Sequence, residues 1–328
     1  MEAVIVKQPG DASQLAIGTV DKPTPKPSEL LVRVHACALN RMDLLQREGK
    51  YPVPPGASQV LGVEMAGIVE ACGAQVSQFR PGDRVFGLMA GGAYAQYCVI
   101  DASLAIQIPV DLSFEEAAGL PEVWYTAYQA LHLIAGLEHG QDVLIHAGAS
   151  GVGIAAIQLA RQAGARRIIV TCGSEEKIAF CKGLGATHAI NYRTDSFRER
   201  VAEWTEGKGV NVLVDFVGAD YWLDNIESLG LDGCMVILAF MSGVSVPEFS
   251  IAPILRKRLR IEGSTLRSRS IAYQSALRGH FVASVLPGVI NGELKHVIDR
   301  TFSWRDVAEA HRYMESNQSR GKIIMTID

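Results

Sequence analysis

The residues best placed to do chemistry gather first in residues 142–153, read DVLIHAGASGVG. An apolar run, Val143, Leu144 and Ile145, stops at a loop of small residues over 147–153, and beyond Gly151 the apolar positions recur at helical spacing. A strand, a small-residue turn and a helix start in that order make an anion-binding turn. The backbone can approach a pyrophosphate there, and open N–H groups with the positive end of the helix dipole favour its charge. The pattern G-x-G-x-x-G falls on Gly148, Ser150 and Gly153, with serine in place of the middle glycine, and Gly151 and Val152 complete the turn. Such a loop alone also suits a glycine-containing turn in another α/β domain.

A second group lies about twenty residues further on, where an NAD-specific domain places Asp or Glu against the ribose hydroxyls. Here the strand ends Thr171, Cys172, Gly173, Ser174, and the next basic residue is Lys177. Ser174 and Lys177 offer the donor and the positive charge that a 2'-phosphate requires, and Tyr192, ending the following strand, can add its hydroxyl. The competing reading leaves Lys177 as a solvated helix residue and puts Glu175 or Glu176 on the ribose.

These groups need a sheet to hold them. Residues 166–173, 189–192, 211–218, 234–240 and 260–265 read as further strands, with helices over 175–185 and 197–206 and another between the strands at 211–218 and 234–240. Strands alternating with helices at this interval give an α/β fold, a Rossmann doubly wound parallel sheet over 122–266 with the cofactor in the crevice at its switch point. Residues 1–121 differ in texture. Short strand-like runs at 3–7, 30–36, 60–69 and 84–88 are separated by clusters such as DKPTPKPSE and KYPVPPG, so a compact, mostly β domain is expected. After Arg267 come a helical stretch to about Leu286, a strand HVIDRTF, a helix over 304–316 capped by Ser303, and a strand KIIMTI. These are too few to fold alone, so 1–121 and 267–328 are expected to share one domain.

Composition narrows the function. At 328 residues, 48% hydrophobic and 20% charged, the chain suits two globular cores. No run approaches a membrane span, and MEAVIVKQPG lacks the features of a secretory signal, so a cytoplasmic protein is expected. A net charge of -4 argues against nucleic acid as a partner, and the basic run at 256–260 reads as a solvated helix end or strand edge. The six cysteines form no C-x-x-C pair and the eight histidines no H-E-x-x-H, which points to buried thiols in a reducing compartment and away from metal clusters.

Longer stretches carry a resemblance. PGDRVFG at 81–87, GGAYAQY at 91–97, TAYQAL at 126–131, VLIHAGASGVG at 143–153 and a closing GKI together resemble the medium-chain dehydrogenase/reductase superfamily. ALNRMDLLQREGKYPVPPGAS and GSTLRSR resemble its zinc-independent quinone oxidoreductases, the zeta-crystallin-like group. The resemblance implies a GroES-like catalytic domain over 1–121 and 267–328, and NADPH as cofactor with Ser174, Lys177 and Tyr192 on its 2'-phosphate. It also places Thr126 near the nicotinamide carboxamide, Val217, Phe240, Thr265 and Leu266 at strand ends lining the crevice, and Asn317 reaching back to the cofactor. For Val217, Phe240 and Leu266, core packing is the competing reading. Where zinc-dependent relatives hold metal with Cys, His and Cys, the matching residues are Asn40, Val63 and Glu122, so no metal is expected. Asp43 and Glu64, nearby in that pattern, are expected to make structural hydrogen bonds.

Hydride transfer to a quinone needs donors where negative charge grows on its oxygen. Asn40, Tyr51 and Ser150 are the candidates, with Tyr51 also against the cofactor; its competing reading is a surface aromatic packed on prolines. Arg267 and Arg269 read either as exposed charges or as attractants for an anionic substrate. The expected activity is NADPH-dependent quinone reduction, with an enoyl or alkenal reductase and a non-enzymatic NADPH-binding sensor as alternatives. The strand at 260–265, at a sheet edge, is expected to pair with a second copy in a homodimer, with a tetramer as the larger option.

Overall fold

A computed structural model describes all 328 residues, which form two compact units, Met1–Tyr125 with Leu266–Asp328, and Thr126–Thr265. The first unit opens with a hairpin of Glu2–Val6 (β1) and Leu15–Thr19 (β2), then Glu29–Ala38 (β3), Glu64–Cys72 (β4), Arg84–Leu88 (β5), Tyr97–Asp101 (β6) and Ala105–Gln107 (β7). The second unit holds Asp142–Ile145 (β8), Arg167–Cys172 (β9), His188–Asn191 (β10), Val210–Asp215 (β11), Leu229–Ile237 (β12) and Arg260–Gly263 (β13). Ile298–Ser303 (β14) and Lys322–Thr326 (β15) belong to the first unit again.

In the second unit all six strands are parallel, in the order β10-β9-β8-β11-β12-β13. The order reverses between β8 and β11, so the loops leaving these two strands diverge and open a crevice at their carboxyl ends. Helices cover both faces, so the central strands are apolar on each side: Leu144, Ile169, Leu213 and Met235 are fully buried in one cluster with Phe197 and Ile226. The strand expected over 234–240 stops at Ile237, where the Leu238 N–H turns to Asp215 O at 2.8 Å. The helix expected to reach Gly185 ends at Leu184, and Gly185 closes it in the left-handed conformation at φ 118°.

The first unit is built on a seven-stranded sheet, β14-β15-β3-β4-β5-β7, with β6 also on β3. Here β15 pairs antiparallel with β3 and parallel with β14, so the last two strands of the chain join this sheet. Its core includes Leu30, Met65, Tyr94 and Trp304, none more than 1% exposed. The strand expected over 60–69 begins only at Glu64, because Gly62 sits at φ 89° with its N–H on Asp43 Oδ1. Among elements not anticipated are β2, β6, β7 and a helix over Arg41–Arg47. The helix expected over 304–316 starts as a tight turn, Trp304–Asp306, capped by Ser303 Oγ, before Val307–Glu315. No helix is long and apolar enough to cross a membrane.

Candidate active site

In the second unit the anion-binding turn is fixed from below. His146, fully buried after β8, places Nδ1 3.0 Å from Thr171 Oγ1 and Nε2 2.7 Å from Asn225 Oδ1. Above it, the Gly148 N–H donates to Thr171 O and the Ser150 N–H to Ala147 O. Ser150 Oγ accepts from the Gly153 N–H at 3.1 Å and caps the helix Gly151–Gln162, while its own proton stays free to donate. The N–H groups of Gly151 and Val152 then have no protein acceptor, the arrangement an anion needs. The turn closes only with glycine at 153: a Cβ there would stand 2.5 Å from Ala147 O and 2.6 Å from Gly148 O.

The next two strands end beside each other. Ser174 caps the helix Glu175–Leu184 by accepting from the Lys177 N–H, which leaves its hydroxyl proton available. A Cβ on Gly173 would lie 2.7 Å from the Tyr192 hydroxyl, so glycine lets the ends of β9 and β10 share one polar corner. Tyr192 is 44% exposed and Lys177 half-buried. Glu175, one competing ribose reader, accepts instead from Asn191 Nδ2 at 3.1 Å.

The remaining expected contacts scatter more. Thr126 Oγ1 is buried with no protein partner, an orphan hydroxyl suited to a cofactor amide. Val217 is half-buried after β11 with its N–H on Asp215 Oδ1. Phe240 is 56% exposed and lines a cleft with Asp215, Gly218, Trp222 and Phe249, so it is not a core residue. Thr265 is exposed, whereas Leu266 at 5% exposure packs as a core residue of the first unit. Asn317, also in the first unit, takes the left-handed conformation and accepts from Arg41. Open donors at the turn, the corner at Gly173 and the orphan Thr126 hydroxyl all fit a dinucleotide phosphate and amide.

The first unit contains a buried polar cluster. Asn40 ends the backbone after β3, and its side chain is held at both ends: Oδ1 accepts from Lys322 Nζ at 2.8 Å and Nδ2 donates to Glu64 Oε1 at 2.9 Å. One amide N–H of Asn40 is left over. Lys322 Nζ spends its other two protons on Leu39 O at 2.8 Å and Glu64 Oε1 at 2.7 Å. Glu64 Oε2 accepts from the Glu122 N–H at 2.8 Å. Asp43 accepts from the N–H groups of Asn40 and Gly62 and from the Tyr94 hydroxyl, and burial raises its carboxyl to about 6. Thus Asp43 and Glu64 do make the structural hydrogen bonds expected of them.

Beside this cluster lie three groups of a different kind. Burial, then the charge of Glu64, pushes the Glu122 carboxyl up to about 8, and no protein donor reaches its oxygens. Its place in the first turn of Pro121–Tyr128 favours the ionised form by only about 0.3–1 kcal/mol, too little to reverse that. Arg267 is 5% exposed; Nε donates to Ala90 O and Nη1 to Gln46 Oε1, while Nη2 is buried with no partner. That excludes the exposed-charge reading of Arg267. Tyr51 is half-buried with its ring 5.7 Å from the Arg267 guanidinium, not a surface aromatic, and burial followed by Glu122 raises its hydroxyl. In the sequence Lys322 was signalled only by the GKI segment, Glu122 only as the counterpart of a metal ligand, and Arg267 as an exposed charge or an attractant for an anionic substrate.

The donors at these positions differ from those of a zinc site. Asn40 and Val63 lack the thiolate and imidazole, and the Lys322 ammonium already takes up Asn40 Oδ1 and Glu64 Oε1. No group of three or more His, Cys, Asp or Glu side chains is placed to hold a metal ion. The donor set does not fit zinc.

A parallel sheet with a phosphate turn at its switch point, joined in one chain to a β-rich unit carrying a polar cluster, defines a nucleotide-dependent dehydrogenase architecture. Two family profiles match it: "Alcohol dehydrogenase GroES-like domain" over residues 26–110 and "Zinc-binding dehydrogenase" over 151–279. Quinone oxidoreductase-like protein 2 of Bos taurus is 31% identical over 94% of this chain and 88% of its own length. A mycocerosic acid synthase-like polyketide synthase of Mycobacterium tuberculosis is 30% identical over 98% of this chain, which spans only 15% of that relative. The crystal structure of Escherichia coli quinone oxidoreductase complexed with NADPH superposes with a TM-score of 0.89 at 29% identity, covering 99% of this chain and 100% of that one. The chain belongs to the medium-chain dehydrogenase/reductase family, in its quinone-oxidoreductase-like branch.

Proposed function

We propose that this protein is an NADPH-dependent quinone oxidoreductase that works without a metal. The observation that carries the cofactor choice is the corner where β9 and β10 end: Ser174 and Tyr192 bring hydroxyls there and Lys177 lies in the first turn of the helix that follows, where an NAD-specific domain ends the strand in an acidic residue. The N–H groups of Gly151 and Val152 would hold the pyrophosphate and Thr126 Oγ1 the carboxamide. Bound NADPH supplies a hydride.

The chain's own residues handle the charge that follows. The free N–H of Asn40, fixed in orientation by Lys322 and Glu64, and the Tyr51 hydroxyl donate to the acceptor oxygen as it becomes negative. The open Nη2 of buried Arg267 adds a cationic donor, worth more in this dry setting than in water. Ser150, one lone pair of which is engaged by the helix, keeps its proton to donate. Edge strand β13 is the surface through which a homodimer is expected to form, and sedimentation of the purified chain tests it.

Oxidation of NADPH and NADH with an ortho-quinone, a para-quinone and an enone, each with a chelator present, tests the reading. Chelator-resistant quinone turnover preferring NADPH is the expected result. Faster turnover of the enone would move the assignment to a double-bond reductase. Saturable NADPH binding without turnover of any acceptor would move it to a sensor.

A further inference from the structure

Three carboxyls share the buried cluster of the first unit, Asp43, Glu64 and Glu122, with only two cations, Lys322 and Arg267. Asp43 and Glu64 are fully buried and Glu122 is half-buried, so the surplus negative charge is discharged at least cost by a proton on the carboxyl with the fewest partners. Geometry says which group takes it. Glu64 is ion-paired with Lys322 at 2.7 Å and accepts two further hydrogen bonds. Asp43 accepts three. Glu122 has neither a salt bridge nor a donor on its oxygens, so it is the carboxyl with least to lose by becoming neutral. The other titratable groups that face this cluster do not compete for the proton. Tyr51 has its hydroxyl raised by burial, and His296, near Lys322, is held neutral by burial, at about 3.

Resting on the quinone-reductase reading above, we infer that Glu122 holds a proton at neutral pH and supplies it, through the Tyr51 hydroxyl, to the reduced acceptor. Hydride addition leaves the quinone as the monoanion of its hydroquinone. The O–H bond of Tyr51 breaks as its proton passes to the anionic oxygen, the O–H bond of Glu122 breaks as its proton replaces the one Tyr51 gave up, and water reprotonates the Glu122 carboxylate. Two electrons enter with the hydride, one proton enters through Glu122, and nothing else is consumed. The carboxyl pushed up to about 8 is then poised near the working pH, as a proton source has to be.

The test pairs Glu122→Gln, which keeps the size and the backbone N–H on Glu64, with Glu122→Asp. Wild-type kcat should fall as the pH rises through about 8, since the acid form is lost. Glu122→Gln should abolish that alkaline limb and lower kcat at neutral pH on the order of 10²-fold, with NADPH affinity within about twofold of wild type. Glu122→Asp should restore a titrating limb. A Gln variant that retains both its rate and its limb overturns the inference while leaving the quinone-reductase reading intact. Should the wild type fail to turn over any quinone, the reading itself falls. The proton is then sought by infrared difference spectra of wild type against Glu122→Gln. A neutral carboxyl band present at pH 6 and absent at pH 10 upholds the buried acid, and no such band overturns it.

Discussion

Replacing Lys322 by methionine removes the one cation in direct contact with Glu64 and keeps the length of the side chain. The three hydrogen bonds of Nζ run 2.7–2.8 Å, and the side chains of Lys322 and Glu64 are 4% and 0% exposed. Breaking one partner of so buried a pair costs about 3–5 kcal/mol, most of it the penalty of a carboxylate left without a counter-charge. For a unit of this size each kcal/mol is worth about 2–4 °C, so Tm should drop by roughly 6–20 °C. Thermal and urea unfolding followed by tryptophan fluorescence measure it, since Trp124 and Trp304 are buried in this unit. The double variant Lys322→Met/Glu64→Gln should recover most of the loss, since two neutral groups have no charge to strand. A loss under about 1 kcal/mol, or a double variant no better than the single, would refute the assignment of Lys322 as the charge that holds the cluster together.

Lys177→Ala should weaken NADPH binding by about one to two decades, the worth of one charge-assisted hydrogen bond, and hardly touch NADH; equal losses in a fluorescence titration would remove Lys177 from the 2'-phosphate. Tyr51→Phe should lower quinone turnover with little change in NADPH affinity, and unchanged steady-state turnover would end its role as a donor. Because the folded protein keeps Glu122 protonated up to about 8 while the unfolded chain releases that proton near the ordinary carboxylate range, stability should fall as the pH rises between those limits. Glu122→Gln should flatten that slope in chemical denaturation at several pH values, and a slope unchanged by the substitution would contradict it.

The second unit was legible in the sequence because its signals are local. Each buried parallel strand is a short apolar run, and several of the expected ligands there follow a strand end, so the fold places Gly148, Ser174, Tyr192 and Val217 along the carboxyl end of the sheet. Strand ends were less legible, since the turn of Leu238 toward Asp215 depends on a neighbouring strand. The first unit was harder to read. Its short strands β2, β6 and β7 carry too few alternating residues to stand out, and Gly62 and Asp43 together delay β4 by a contact that no periodicity encodes. The cluster was least legible of all. Glu122 read as a missing metal ligand and Lys322 as part of a motif, because what gives them meaning is the meeting of residues separated by 58 positions in one case and 258 in the other.

The placement of β15 between β14 and β3 also sets an order of assembly. During synthesis β3 and β4 emerge early, yet the edge of β3 that β15 will cover stays open until nearly the whole chain has been made, since Asn40 and Lys322 are 282 residues apart. The second unit is one unbroken stretch and can close on the ribosome while that slot waits. Through this interval Glu64 has no ammonium beside it and remains hydrated. The nascent first unit is therefore expected to be the loose partner, with an unpaired strand edge that chaperones or proteases can engage until Lys322 arrives.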